Sequence, residues 1–235
     1  MEPSEALREL LAGPGTLKPA LVIFAVYTAG SAAAAVFLPP SFMPEAPAAT
    51  FGQPAYVYLL AGLFSGLAMN VLCAALLPRL SDLFAAGRIG PRVLLSLAAA
   101  LAYLAALAVL KRHPAALALF ALLPAAAAWR GYQLAGARCS SLLRVLLAAG
   151  AIGTVFLPLD GLSIFFSLRQ LYEVSAAAMS LWCLVFLVKA LRLSGGPSAP
   201  RTVSAVFFAL AVSALFLYNV SLLLPERLQP LMILF

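Results

Sequence analysis

The segment Gly62-Leu63-Phe64-Ser65-Gly66 sets a serine beside a glycine inside a long apolar run, and it is the part of this chain most suggestive of chemistry. Hydrolysis at such a serine needs a base within hydrogen-bond reach and donors for the oxyanion. The chain has one histidine, His113, in the basic turn Lys111-Arg112-His113-Pro114, and Ser65 does not stand in a Gly-x-Ser-Gly spacing. In lipid the same residues have another use. Gly62 and Gly66 lie one turn apart on a helix face and let a neighbouring backbone come close, while Ser65 can hydrogen-bond within or across helices. Asn70 follows one turn later, and Asn219 is the other deep amide. Gly62, Ser65, Gly66, Asn70 and Asn219 are therefore expected to serve helix packing, with the two amides pairing with each other or with backbone. No catalytic, cofactor-binding or metal site is expected. The three cysteines, Cys73, Cys139 and Cys183, form no CxxC pair, and no phosphate-cradling glycine loop or paired-carboxylate constellation is present.

The elements that hold these residues follow from composition. Of the 235 residues 64% are hydrophobic and only 10% charged, with a mean hydropathy of +1.05. A water-facing domain carries about a quarter charged residues, so the fold class expected is an all-α, polytopic transmembrane bundle of five to seven spans. Residues 1–235 are expected to form one integral membrane domain. About twenty apolar residues cross a bilayer as a helix. Candidate spans are Ala20–Leu38, Tyr56–Pro78, Val93–Leu110, Ala115–Trp129, Leu142–Leu159, Val174–Leu193 and Val203–Leu224. The fourth is short, carries Pro124 and ends in Trp-Arg-Gly-Tyr-Gln. If the third and fourth runs formed one re-entrant unit, five full spans would remain. Alternation typical of a barrel strand is absent.

The net charge of +7 is arranged for a bilayer and not for nucleic acid. With seven spans, Arg8, Lys18, Arg79, Arg88, Arg92, Arg130, Arg138, Arg144, Lys189, Arg192 and Arg201 fall on one side. Lys111, Arg112, Arg169 and Arg227 fall on the other. Eleven against four is a positive-inside bias, which predicts an inner amino terminus, an outer carboxy terminus (Pro-Glu-Arg-Leu-Gln-Pro-Leu-Met-Ile-Leu-Phe) and attraction of anionic headgroups to the inner face. Residues 1–17 read as a short amphipathic segment, with Leu7, Leu10 and Leu11 on one side and Glu5, Arg8 and Glu9 on the other. Leu159 to Ser175 reads as a short interfacial helix in which Asp160, Arg169 and Glu173 form salt bridges. No ionisable residue is placed at mid-depth, which argues against a buried carboxylate relay.

Two stretches resemble the Yip (Ypt/Rab-interacting protein) membrane-domain family, in its bacterial form. Ser4 to Tyr27 is similar to the family's start, where a short acidic–basic helix leads through a proline into the first span. Ser180 to Leu210 is similar to its later hairpin, where a Trp-containing span ends in a basic, Gly-bearing turn. The connection after the second span, through Arg88 and Arg92, is similar in style. The Asp-Leu-Tyr-Gly-Pro type signature of eukaryotic members is absent. The resemblance implies five spans, an inner amino terminus, an outer carboxy terminus and a non-enzymatic protein related to those of membrane traffic and shape. The expected function is a scaffold or membrane-organising protein of the bacterial inner membrane. It would act through helix packing, lipid contact and a protein partner at its inner loops, or as a homo-oligomer. A small permease or transporter subunit is the alternative, since several spans are interrupted by Pro and Gly; an intramembrane enzyme is the third.

Overall fold

The computed structural model describes residues 3–44, 46, 48–225 and 229. They form eight α-helices joined by turns, without a β-strand among the described residues. A helix satisfies every backbone polar group within its own segment, which hydrocarbon surroundings demand. The helices are α1 (Pro3–Ala12), α2 (Leu17–Val36), α3 (Ala55–Ala85), α4 (Ile89–Leu110), α5 (Pro114–Ala148), α6 (Gly150–Phe165), α7 (Arg169–Leu193) and α8 (Ala199–Leu223). The carboxy-terminal Pro-Glu-Arg segment, with Arg227, lies largely outside the described residues.

Six helical stretches are long and apolar enough to cross a membrane, and the fourth, Pro114–Phe165, has 52 residues. Drawn straight, it would reach about 78 Å, more than twice a hydrocarbon core of roughly 30 Å. It is not straight. Ala135 departs from helical geometry, with φ −139° and ψ 32°. The Cys139 sulfur lies 3.8 Å from the Gly131 carbonyl oxygen, whereas residues eight apart in a straight helix are separated by about 12 Å.

The contacts on either side of this bend run in opposite directions. Before it, Gly131 meets the backbone of Ala75 in the second half of α3. After it, Arg144 reaches Leu11 and Gly13, Leu147 and Ala148 pack on Ala20 and Phe24, Gly153 meets Tyr27, and Leu157 meets Gly30. The second arm of α5 together with α6 thus climbs alongside α2, and the chain passes along the bundle seven times. This corrects two sequence boundaries. The helix does not end at Trp129, because the polar Trp-Arg-Gly-Tyr-Gln segment stays helical up to the bend. The expected span Leu142–Leu159 is not one helix but straddles the α5–α6 junction at Ala149.

The largest core joins Leu7 of α1 to side chains of α3, the second arm of α5, α7 and α8, with Phe84, Val145, Leu191 and Val206 fully buried. A smaller cluster brings in α2 through Ala20 and Phe24. Helix α4 and the first arm of α5 form a hairpin; α4 lies on the flank with Leu107 its single buried residue, while the α5 arm packs Ala128 with Leu72 and Ala75 of α3. At the far end, Tyr58 fastens the connection between α2 and α3. Its hydroxyl donates to the Thr50 carbonyl at 2.7 Å and accepts from the Gln53 N–H at 3.3 Å.

Candidate functional site

Between α2, α3, α6 and α7, where α6 leads into α7, lies a cavity of about 310 Å³. Its room comes from sequence. Gly62 and Gly66 present no side chain on the α3 wall, and Ala34, Ala35 and Ala176 keep the α2 and α7 walls thin. Its polarity comes from Tyr27, Thr28 and Ser31 on α2, which share one side of that helix, and from Asp160 and Tyr172 at the facing ends of α6 and α7. The Ser175 hydroxyl donates to Asp160 Oδ1 at 2.6 Å and so fixes the carboxylate. The Tyr27 hydroxyl lies 3.7 Å from the Met179 sulfur, and the Thr28 hydroxyl donates to the Phe24 carbonyl at 2.8 Å.

A second cavity of about 210 Å³ lies beside it, at the α5–α6 junction, and Asn70 lines it. Phe24, Tyr27, Gly66 and Met179 line both spaces and form the partition between them. The partition is tight, since a Cβ at Gly66 would lie 2.9 Å from Phe24 Cε2.

The expected packing residues therefore have divided fates. Gly66 receives the Phe24 ring, and Gly62 faces a cavity. Ser65 is fully buried, with its hydroxyl donating to the Ala61 carbonyl at 2.7 Å in its own helix. His113 is exposed at the turn that opens α5. The two amides do not meet. Asn219 is fully buried and its Nδ2 donates to the Tyr103 hydroxyl of α4 at 3.0 Å, while Asn70 lines the second cavity. Between helices, backbone meets glycines the sequence reading did not single out, Gly131 on Ala75 and Gly150 on Ile23 and Phe24.

The opposite end of the bundle is basic. Arg144, only 8% exposed, donates to the Gly13 carbonyl at 2.7 Å, the Leu11 carbonyl at 3.0 Å and the Ser141 hydroxyl at 2.9 Å. It thereby holds the last turn of α1, whose terminal carbonyls have no partner within the helix. Gly87 turns the chain between α3 and α4 with φ +72°. Arg201 donates to Ala85 and Gly87 carbonyls at 2.5 and 3.1 Å, and the Arg92 guanidinium lies beside the same glycine. Arg138 pairs with Asp82 at 3.4 Å in an exposed ion pair, which is worth little in stability. Arg79, Arg88, Arg130, Lys189 and Arg192 are exposed around this end.

At the other end Arg169 pairs with Glu173 at 2.7 Å. Asp160 is not part of that pair, which corrects the expected three-charge cluster. The expected interfacial helix is instead the end of α6, a turn, and the start of α7. Arg144 and the polar stripe of α2 were not recognised as a pair of special positions in the sequence. The signal for the stripe was present, as Tyr27 and Ser31 recur one turn apart in an otherwise apolar span. No family model, curated protein or solved structure matches the chain.

Proposed function

We propose that this chain is a non-enzymatic, Yip-like multi-pass protein of the bacterial inner membrane, with its basic end in the cytoplasm. There it organises membrane through anionic headgroups and a protein partner. The observation that carries this reading is the collection of basic side chains at one end of the bundle around a docked α1. The resemblance implies five spans; here α4 alone is almost wholly unburied, and the first arm of α5 buries Leu117, Ala121, Pro124, Ala128 and Gly131. Helix α1 is a built-in part of that end, because Leu7 is 2% exposed within the core.

Replacing the exposed Arg88, Arg130, Lys189 and Arg192 by glutamine leaves the core intact and should lower the phosphatidylglycerol that co-purifies with the protein, measured by lipid mass spectrometry. Unchanged lipid recovery would sink the headgroup role. Sidedness is tested by single cysteines at Ser41, Gly90 and Ser198, all exposed, in a chain whose native cysteines are alanine. Membrane-impermeant reagent should label Ser41→Cys from outside the cell and the other two only from inside.

The stacked cavities favour a second reading, a small permease or transporter subunit, in which discontinuous helices line a path. A cysteine at Asn70 distinguishes the two. Labelling from both faces of the membrane supports a path, and labelling from one face or none supports the membrane-organising reading.

A further inference from the structure

We propose that the cavity between α2, α3, α6 and α7 binds an ammonium group, with Asp160 as its counter-charge and Tyr27 and Tyr172 as its aromatic walls. This inference stands on the cavity alone and holds under either functional reading.

The first reason is charge. Asp160 sits half-buried within an apolar bundle, and among the described residues no lysine or arginine makes a salt bridge with it. The nearest cation in sequence on the facing helix, Arg169, is committed to Glu173. An ionised carboxylate taken out of water requires a compensating positive group or good hydrogen bonds. Ser175 supplies one bond, to Oδ1, and the Asp160 side lining the cavity keeps acceptor capacity beyond it. A carboxylate can accept about four such bonds, and an ammonium group brings donors and charge together.

The second reason is the shape and type of the surrounding side chains. Tyr27, Tyr172 and Phe24 line the same space as Asp160. Aromatic faces attract cations, and cages of such rings recognise methylated ammonium groups. The Tyr172 ring is held in place, with its centroid 5.5 Å from that of Phe42. Tyr27 is held through its hydroxyl at Met179. The Thr28 and Ser31 hydroxyls add acceptors on the third side. An anion would meet the carboxylate unfavourably, and a purely apolar ligand would leave it unpaired. A coordinated transition metal does not suit the site, since among the described residues no group of three His, Cys, Asp or Glu side chains is gathered.

An ammonium group has two sources here, a free amine and the headgroup of an aminophospholipid. Purified protein in detergent is titrated with choline and ethanolamine. Titration with dimethylbutanol, in which carbon replaces the charged nitrogen of choline, is the control. Protein in nanodiscs of phosphatidylethanolamine is compared with protein in phosphatidylglycerol, and lipid retention is read by native mass spectrometry. Saturable binding of choline or ethanolamine, without binding of dimethylbutanol, identifies a free amine. Selective retention of phosphatidylethanolamine without either soluble amine identifies the headgroup. Asp160→Asn keeps an acceptor for Ser175 and should weaken the observed binding by about tenfold or more. Tyr172→Leu should weaken it, and Tyr172→Phe should restore it. Should a variant not fold, the wild-type contrasts still decide, choline against its neutral isostere and phosphatidylethanolamine against phosphatidylglycerol. The proposal is overturned if no arm shows selective binding, if dimethylbutanol binds as well as choline, or if Asp160→Asn binds like wild type.

Discussion

Helices α3 and α4 follow one another in the chain, both are long enough to cross a membrane, and α4 is the more apolar. Their surroundings are nevertheless opposite. Twelve residues of α3 are buried, and one residue of α4, Leu107, is. Leu94, Leu95, Leu101 and Val109 of α4 all face outward. In water this would be costly, at about 25 cal/mol per Å². In lipid the tails are as apolar as leucine, so hydrophobicity draws helices into the membrane without drawing them together. Small residues alone do not separate α3 from α4, since Ala98, Ala99, Ala102, Ala105 and Ala108 of α4 are exposed as well. The buried face of α3 joins Gly62, Ser65, Ala74, Ala75 and Ser81 to Tyr58, Leu72, Leu77 and Phe84, and at Ala75 the backbone of another helix meets it directly. Hydropathy therefore reports which segments cross, and close backbone approach reports which of them form the core.

The strongest way to break this comparison is at Gly131, where the Ala75 carbonyl oxygen occupies the space a Cβ would need. The obstacle is backbone and not the end of a flexible side chain, so it cannot simply swing aside. Gly131→Leu is expected to cost about 3 kcal/mol, at the upper end of overpacking penalties, read as a lowered unfolding midpoint in detergent. Leu101→Ala on the outward face of α4 should leave that midpoint unchanged. Equal effects at the two positions would mean that α4 is packed as firmly as α3.

Arg144 tests the core side of the comparison. Arg144→Ala removes two charge-assisted bonds to the carbonyls of Leu11 and Gly13 and is expected to cost about 2 kcal/mol. Because those bonds secure the end of α1, the variant should also be cleaved faster by trypsin at Arg8. Arg144→Lys should recover only part of the protection, since a single ammonium cannot reproduce the spread of the guanidinium fork. If Arg144→Ala leaves both the midpoint and the cleavage rate unchanged, α1 is held by Leu7, Leu10 and Leu11 alone.

The limits of legibility follow the same physics. Six of the helices' locations could be read from apolar runs, because a membrane span must be apolar along its whole length. A turn between Trp129 and Leu142 could be read as well, with Gly136 beside Ala135, but not that the backbone would stay helical on both sides of a bend at one residue. Its neighbours Trp129, Arg130 and Tyr132 look like the end of a span, although the chain remains helical while it turns at the basic end. Gly62 and Gly66 were recognisable as a small-residue face, but sequence does not say whether such a face meets a backbone or borders a space. One became a seat for the Phe24 ring and the other a cavity wall. Asp160 was grouped with Arg169 and Glu173 because they are near in sequence. Ser167, with φ +54°, turns the chain between them and leaves Asp160 on a different helix from the ion pair.

The finest test concerns how the hairpin is attached. Helix α4 reaches α8 through one hydrogen bond, from Asn219 Nδ2 to the Tyr103 hydroxyl at 3.0 Å. The Tyr103 ring also stacks on Phe120, with centroids 4.5 Å apart. The other amide atom, Asn219 Oδ1, is buried without a hydrogen-bond partner among the described residues. A double-mutant cycle of Tyr103→Phe and Asn219→Leu isolates the bond, because phenylalanine keeps the stacked ring and leucine keeps most of the volume. The coupling expected is about 0.6 kcal/mol, the average for hydrogen bonds between membrane helices. Asn219→Leu alone should be close to neutral, since it removes the unsatisfied oxygen along with the bonded nitrogen. Tyr103→Phe alone should be the worse of the two, because it strands a buried amide with neither of its polar atoms paired. If instead Asn219→Leu proves the more damaging, the bond to Tyr103 outweighs the stranded oxygen. Helix α4 is then fastened to α8 by that amide more firmly than its exposure suggests.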